Sequence, residues 1–219
     1  MQKVVAGLDI EVRYKKIKNV YLRVGKDKTI SVNAPLNYPD SRLVAFVSSR
    51  AEWIKNALER VEKKAPPEIV DGGKINLFGV EYTVKRQNPT RRGDKGVKVT
   101  GREITVTATE KSFVKKTEEF FSEVLKSRAI KYLEYYSQKS GMAYGAVEVK
   151  KMRSKWGYCV IAEKKIVFSL NLAYKPLRCL EYVALHELAH TRVAAHDKRF
   201  YAIVEKYMPD YKSARKLLK

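Results

Sequence analysis

From Leu8 to Ala34 apolar and polar residues alternate, and GKDK at residues 25 to 28 interrupts the alternation between YLRV and TISV. A period of two sends successive side chains to opposite faces of a half-buried strand, so this stretch is expected to form a meander with a hairpin at Gly25. After Pro35 the period lengthens. Leu43, Phe46, Val47, Ile54, Ala57, Leu58 and Val61 recur at intervals of three and four, with Asp40 at the capping position. One amphipathic helix over residues 41–63 is predicted, ended by Pro66-Pro67.

Alternation then returns, with candidate strands at Lys74 to Leu77, Glu81 to Arg86, Val97 to Thr100 and Glu103 to Ala108, and RRGDKG reads as a solvated hairpin loop. Between Glu110 and Ser140, Phe113, Thr117, Phe120, Phe121, Val124, Leu125, Ala129, Tyr132, Leu133 and Tyr136 describe one face of a long helix that Gly141 can close. The aromatic stripe on it, from Phe120 to Tyr136, is at the spacing of a packed core. A domain boundary is expected just before this helix, giving domains over residues 1–109 and 110–219. The remainder reads as a short β-ribbon, at Val147 to Lys151, Tyr158 to Ala162 and Ile166 to Leu170. Helices follow, one from Leu177 to about Val193 with Pro176 at its start and another capped by Asp197 that ends before Pro209. No internal repeat is visible.

Composition narrows the function classes. The 45 Lys and Arg outnumber the 24 Asp and Glu, for a formal charge of +21 shared evenly by the two halves of the chain. Such a field draws polyanions, namely nucleic acid, nucleotides or acidic surfaces, without selecting among them. No recognition-helix or RNA-binding aromatic motif accompanies it. Asp9 interrupts any signal-like apolar stretch and no apolar run is long enough to span a bilayer, so secretion and membrane insertion are set aside and a cytoplasmic location is expected. Two cysteines, Cys159 and Cys179, do not make a disulfide framework.

All three histidines fall within HELAHTRVAAH, as His186, His190 and His196. On a helix, His186 and His190 project from one face a turn apart, close enough to share one tetrahedral cation. Glu187 is rotated by about 100° from His186, which leaves its carboxylate beside the open coordination position, where a general base belongs. A third ligand must come from beyond the helix. His196 needs only a bend near Ala194-Ala195 and is the first candidate, ahead of Asp197 and Glu205.

The segment HELAHTRVAAHDKRFYAIVEKYMPDY, with the upstream RSKWGYC and SLNLAYKP, resembles the YgjP-like zinc metallopeptidases, which are related to SprT-like proteins. The resemblance extends to the N-terminal YLRVGKDKTISVNAP and the helix carrying Trp53. It implies zinc held by His186, His190 and His196, with Glu187 as catalytic acid/base. The chain departs from the family pattern at Tyr158, where members usually carry Ser. Val193 stands where metzincins place a glycine, and no Met-turn is evident.

The expected protein is therefore α+β, with a β-rich N-terminal domain containing a helix and a C-terminal zincin-like domain whose HExxH helix packs on a small sheet. Its expected activity is zinc-dependent hydrolysis of peptide bonds in a polypeptide substrate. Hydrolysis of a nucleotide phosphoanhydride by the same water is the alternative, as is nucleic-acid binding with a structural zinc or a DNA-dependent protease. Charge on the oxyanion needs a partner. With every histidine a proposed ligand, Arg153 and Tyr158 are the first candidates, followed by Tyr201 and Tyr207. Trp156, Asn171 and Cys159 read as structural, although Cys159 could close the site as a fourth ligand.

Overall fold

The alternating N-terminal residues form β1 (Gln2–Val5), β2 (Leu8–Lys15), β3 (Tyr21–Val24) and β4 (Ile30–Pro35) of a computed structural model that describes residues 1–25, 27–64, 66–91 and 96–218. The sheet order is β1-β2-β4-β3, which departs from a simple meander. β4 lies between β2 and β3 and runs parallel to β2, with Ile10 opposite Ile30 and Val12 opposite Val32. This order sets the two longer strands side by side in the centre, where Ile10, Val12, Val32 and Ala34 are buried. The short β3, none of whose residues is fully buried, is left at the edge, where a short strand offers little to pair with.

The helical stretch forms two helices, α1 (Asp40–Ser48) and α2 (Ala51–Lys64), where periodicity predicts one. At the break the Ser49 hydroxyl donates to the Phe46 carbonyl (2.8 Å), a local bond that competes with helix continuation. Asp40 is not the cap. Pro39 holds that position, and the Asp40 carboxylate accepts instead from the Tyr14 hydroxyl (2.7 Å) and from Lys3.

The chain divides into two compact units, Met1–Pro66 and Pro67–Lys219. The second begins with β5 (Gly73–Leu77), β6 (Val80–Gln87), β7 (Gly96–Thr100) and β8 (Glu103–Thr107), in the order β5-β6-β8-β7. Here too the central pair is parallel and the flanking pairs antiparallel. Each sheet opens with a hairpin turned by two residues of positive φ, Ala6-Gly7 (51° and 75°) and Phe78-Gly79 (54° and 88°). One topology thus occurs twice without a visible sequence repeat, because what recurs is alternation and turn placement. The loop expected at RRGDKG falls largely on residues 92–95 and, like Lys26 of GKDK, lies outside the described residues.

The long helix α3 (Glu110–Ser140) ends as expected at Gly141 in the left-handed region, φ 68°. It buries Phe113, Phe121, Leu125 and Leu133 in a core shared with Val84, Ile104 and Val106 of the preceding sheet and with Leu180, Leu185 and Phe200 further on. That shared core is why the units divide at 66/67 and not at 109/110. A third sheet, β9 (Val147–Lys150), β10 (Gly157–Val160) and β11 (Lys165–Ser169), has the order β10-β11-β9. It is followed by α4 (Leu177–His190), α5 (Lys198–Tyr207) and α6 (Tyr211–Lys216), and α4 packs against the edge strand β10. Three small mixed sheets with these helices make the expected α+β fold. No helix among the described residues is long and apolar enough to cross a membrane.

Candidate metal centre

α4 carries two of the histidines in its last turn and then tightens, with Thr191 and Arg192 N–H groups reaching the Leu188 and Ala189 carbonyls (3.0 Å each). The helix therefore ends at His190, three residues before the position periodicity suggests. The chain turns back through Ala194-Ala195, and α5 begins where the Asp197 side chain accepts the Arg199 and Phe200 N–H groups. This return brings His196 to the pair. His196 Nε2 lies 2.9 Å from His186 Nε2 and 3.1 Å from His190 Nε2, and the three residues form a group able to hold a metal ion. Asp197 is occupied in capping and in a salt bridge to Arg199 (2.8 Å), and Glu205 pairs with Lys212 (3.8 Å).

Two rings are held so that Nε2 presents its lone pair. The His190 Nδ1–H donates to the Val193 carbonyl at 3.1 Å. The His186 Nδ1 faces the Tyr182 hydroxyl at a longer 3.4 Å, a contact compatible with an Nδ1–H donor. Burial holds the His186 imidazole down at about 3, with His190, His196 and Arg215 adding to the depression. His190 is lowered as well, chiefly by burial. Rings protonated on Nδ1 would aim their Nε2 lone pairs at one point, an arrangement that a cation relieves. The observed separations lie within a few tenths of an ångström of the roughly 3.3 Å edge of a tetrahedron of nitrogen ligands at about 2.0 Å. The donor set fits a borderline-soft divalent ion.

Phe200, fully buried at 0% exposure, floors this cluster. Its ring centroid lies 4.7, 4.6 and 4.8 Å from those of His186, His190 and His196. Neither Phe200 nor Tyr182 stands out in the sequence. The available signals were the spacing Tyr182-His186-His190 along one helix face and the position of Phe200 three residues after a cap. Phe200→Ala is expected to destabilise the fold by about 3–5 kcal/mol and to weaken metal binding together with it, as measured by denaturant unfolding and metal titration. Unchanged metal affinity would show that the ring only fills space.

Glu187 is 5% exposed. Burial pushes its carboxyl up to about 8, and Lys155 is the charge that opposes the shift. Among the described residues its carboxylate has no hydrogen-bond partner. Gly157 on β10 explains how it fits, since a Cβ there would lie 2.9 Å from Glu187 Oε1 and 3.0 Å from Val183 Cγ1. Only hydrogen leaves room. Gly157→Ala is expected to displace the carboxylate and lower kcat by roughly 10- to 100-fold with metal retained, which steady-state kinetics and metal analysis would check.

The oxyanion candidates are placed differently. Tyr158 follows Gly157 along β10, so strand alternation turns it to the face opposite the one Gly157 presents to Glu187, and Lys155 lies 6.0 Å from its ring. Arg153 is exposed in the connection between β9 and β10. Tyr207, half-buried at the end of α5, lies beneath Lys206. Tyr201 does approach, its ring 6.4 Å from that of His196. Cys159 shares the Gly157 face and is half-buried, its thiol pushed up by burial and then by Glu187, but it is outside the metal-binding group. Trp156 donates to the Leu218 carbonyl (3.1 Å) and Asn171 to the Met152 carbonyl (3.1 Å), both structural roles.

Among solved structures, the metallopeptidase zymogen of Pyrococcus abyssi abylysin shares 20% identity with this chain, covering 41% of it and 87% of that chain at a TM-score of 0.37. No curated protein sequence matches. The family description "YgjP-like, metallopeptidase domain" matches residues 18–219, nearly the whole chain and every element that builds the histidine cluster. The protein belongs to the YgjP-like metallopeptidase family.

Proposed function

We propose that this protein is a zinc-dependent peptidase in which His186, His190 and His196 hold the metal and Glu187 is the general base. The observation that carries the reading is the convergence of three Nε2 atoms, at 2.9 and 3.1 Å, next to a buried carboxylate free of hydrogen bonds among the described residues. Zinc bound there would polarise the scissile carbonyl and lower the pKa of a water to about 7. Glu187 takes the proton from the attacking water and returns it to the departing amine nitrogen. Its packing beneath Gly157 holds the carboxylate in place and away from bulk solvent. The Val193 carbonyl fixes the His190 ring so that its ligating nitrogen does not rotate away.

The test is to load the full chain with zinc and to offer it unfolded polypeptide and nucleoside triphosphates in parallel, following amine and phosphate release with and without a chelator. Chelator-sensitive amine release supports the reading. Phosphate release without amine release would transfer the site to phosphoanhydride chemistry.

A further inference from the structure

One cation next to the histidine cluster has no assigned work. Arg215 of α6 is exposed and has no carboxylate partner among the described residues. Its guanidinium carbon sits 5.6 Å over the ring of Tyr201, within the range of a cation–π contact. Tyr201 in turn lies beside His196, the exposed member of the cluster. The short helix that carries Arg215 is firmly seated. Tyr211 is 5% exposed and stacks between Tyr201 (5.9 Å) and Tyr182 (6.1 Å), and Ala214 is fully buried. Arg178 of α4 reaches Asp210 at the start of the helix while also holding Glu181 at 2.7 Å.

A guanidinium with no carboxylate partner among the described residues, set over a ring that lies beside the histidine cluster, offers a fork of donors that matches an oxygen anion. We propose that Arg215 is a substrate-binding residue that takes an anionic oxygen of the peptide at the exposed, His196 side of the cluster, with Tyr201 as the positioning residue beneath it. The proposal rests on the peptidase reading above. The anionic oxygen has two possible sources, the C-terminal carboxylate of a substrate cut near its end or the charge that develops on the scissile carbonyl oxygen.

The experiment compares the zinc-loaded parent with Arg215→Ala and Arg215→Lys on one peptide prepared as the free acid and as the C-terminal amide, and titrates a peptidyl phosphonate of the same sequence into each protein by calorimetry. Metal content and Tm of the variants are expected to match the parent, since the side chain is on the surface. If the partner is the developing oxyanion, Arg215→Ala lowers kcat by about 100-fold or more on both peptides. If the partner is the carboxylate, KM rises by about 10- to 100-fold on the acid only. In both cases phosphonate affinity falls in Arg215→Ala, and Arg215→Lys recovers part of the loss. A parent that cleaves both peptides while Arg215→Ala stays within about twofold of it on every measure overturns the Arg215 assignment and leaves the peptidase reading standing. A parent that cleaves nothing but binds phosphonate in an Arg215-dependent way overturns the peptidase reading and keeps Arg215 as an anion-binding residue. A parent that neither cleaves nor binds overturns both.

Discussion

Glu187→Gln is expected to bind metal as the parent does and to hydrolyse peptide about 100- to 10,000-fold more slowly, the range over which general acid–base catalysis contributes. The substitution is nearly isosteric, so the amide fits the space beneath Gly157, where Glu187 Oε1 has only 2.9 Å to the position a Cβ would take. What it removes is the proton acceptor. Burial raises the carboxyl to about 8, which disfavours the charged form and makes the carboxylate, once formed, a stronger base than one in water. An amide has no such form at any accessible pH. The variant also leaves the histidine rings untouched, so kcat should fall while metal stoichiometry stays that of the parent. Turnover equal to the parent's, measured on a fluorogenic peptide with metal content checked in the same sample, would remove Glu187 from the base role.

His190→Ala should show the opposite signature, with metal lost first and activity lost as a consequence. Its imidazole is one of three converging groups and is held by the Val193 carbonyl at 3.1 Å. Loss of an outer-sphere partner alone typically weakens a metal site by about 10- to 100-fold, so loss of the ligand itself should exceed about 100-fold. Competition against a fluorescent chelator measures this directly. A thermal consequence follows by mass action. A metal held at about 1,000 times its Kd stabilises the folded state by about 4 kcal/mol, so chelator should lower the Tm of the parent and leave that of His190→Ala unchanged. A variant that retains parental zinc affinity would exclude His190 as a ligand.

The same two residues show where local reasoning succeeds. His186, Glu187 and His190 lie within one helical turn and a half, so their mutual arrangement depends on φ and ψ values that α4 fixes along a single stretch of chain. The end of α3 at Gly141 and the Asp197 cap of α5 are local in the same sense, each set by one side chain or one left-handed residue acting on its neighbours. Tyr158 shows the limit. It is an oxyanion candidate for its place on the ribbon beside the HExxH helix, while strand alternation turns the preceding Gly157 toward Glu187, and the lack of a side chain there is what admits the carboxylate. A residue that functions by being absent leaves no chemical signature to read.

Residue order alone accounts for most of the strands and helices as elements, though not for β1, the break between α1 and α2 or α6, and for the helical face shared by two histidines with a carboxylate beside it and a third histidine within reach. Those follow from periodicity and from contacts a few residues apart. Packing was needed for the rest: the parallel pairing of β2 with β4, the division between units at 66/67, Phe200 beneath the imidazoles, and the tyrosine stack that carries Arg215 to the cluster. Each of these joins segments far apart in the chain. Their separation in space is set by which apolar faces bury one another, and that competition is settled among all the elements at once.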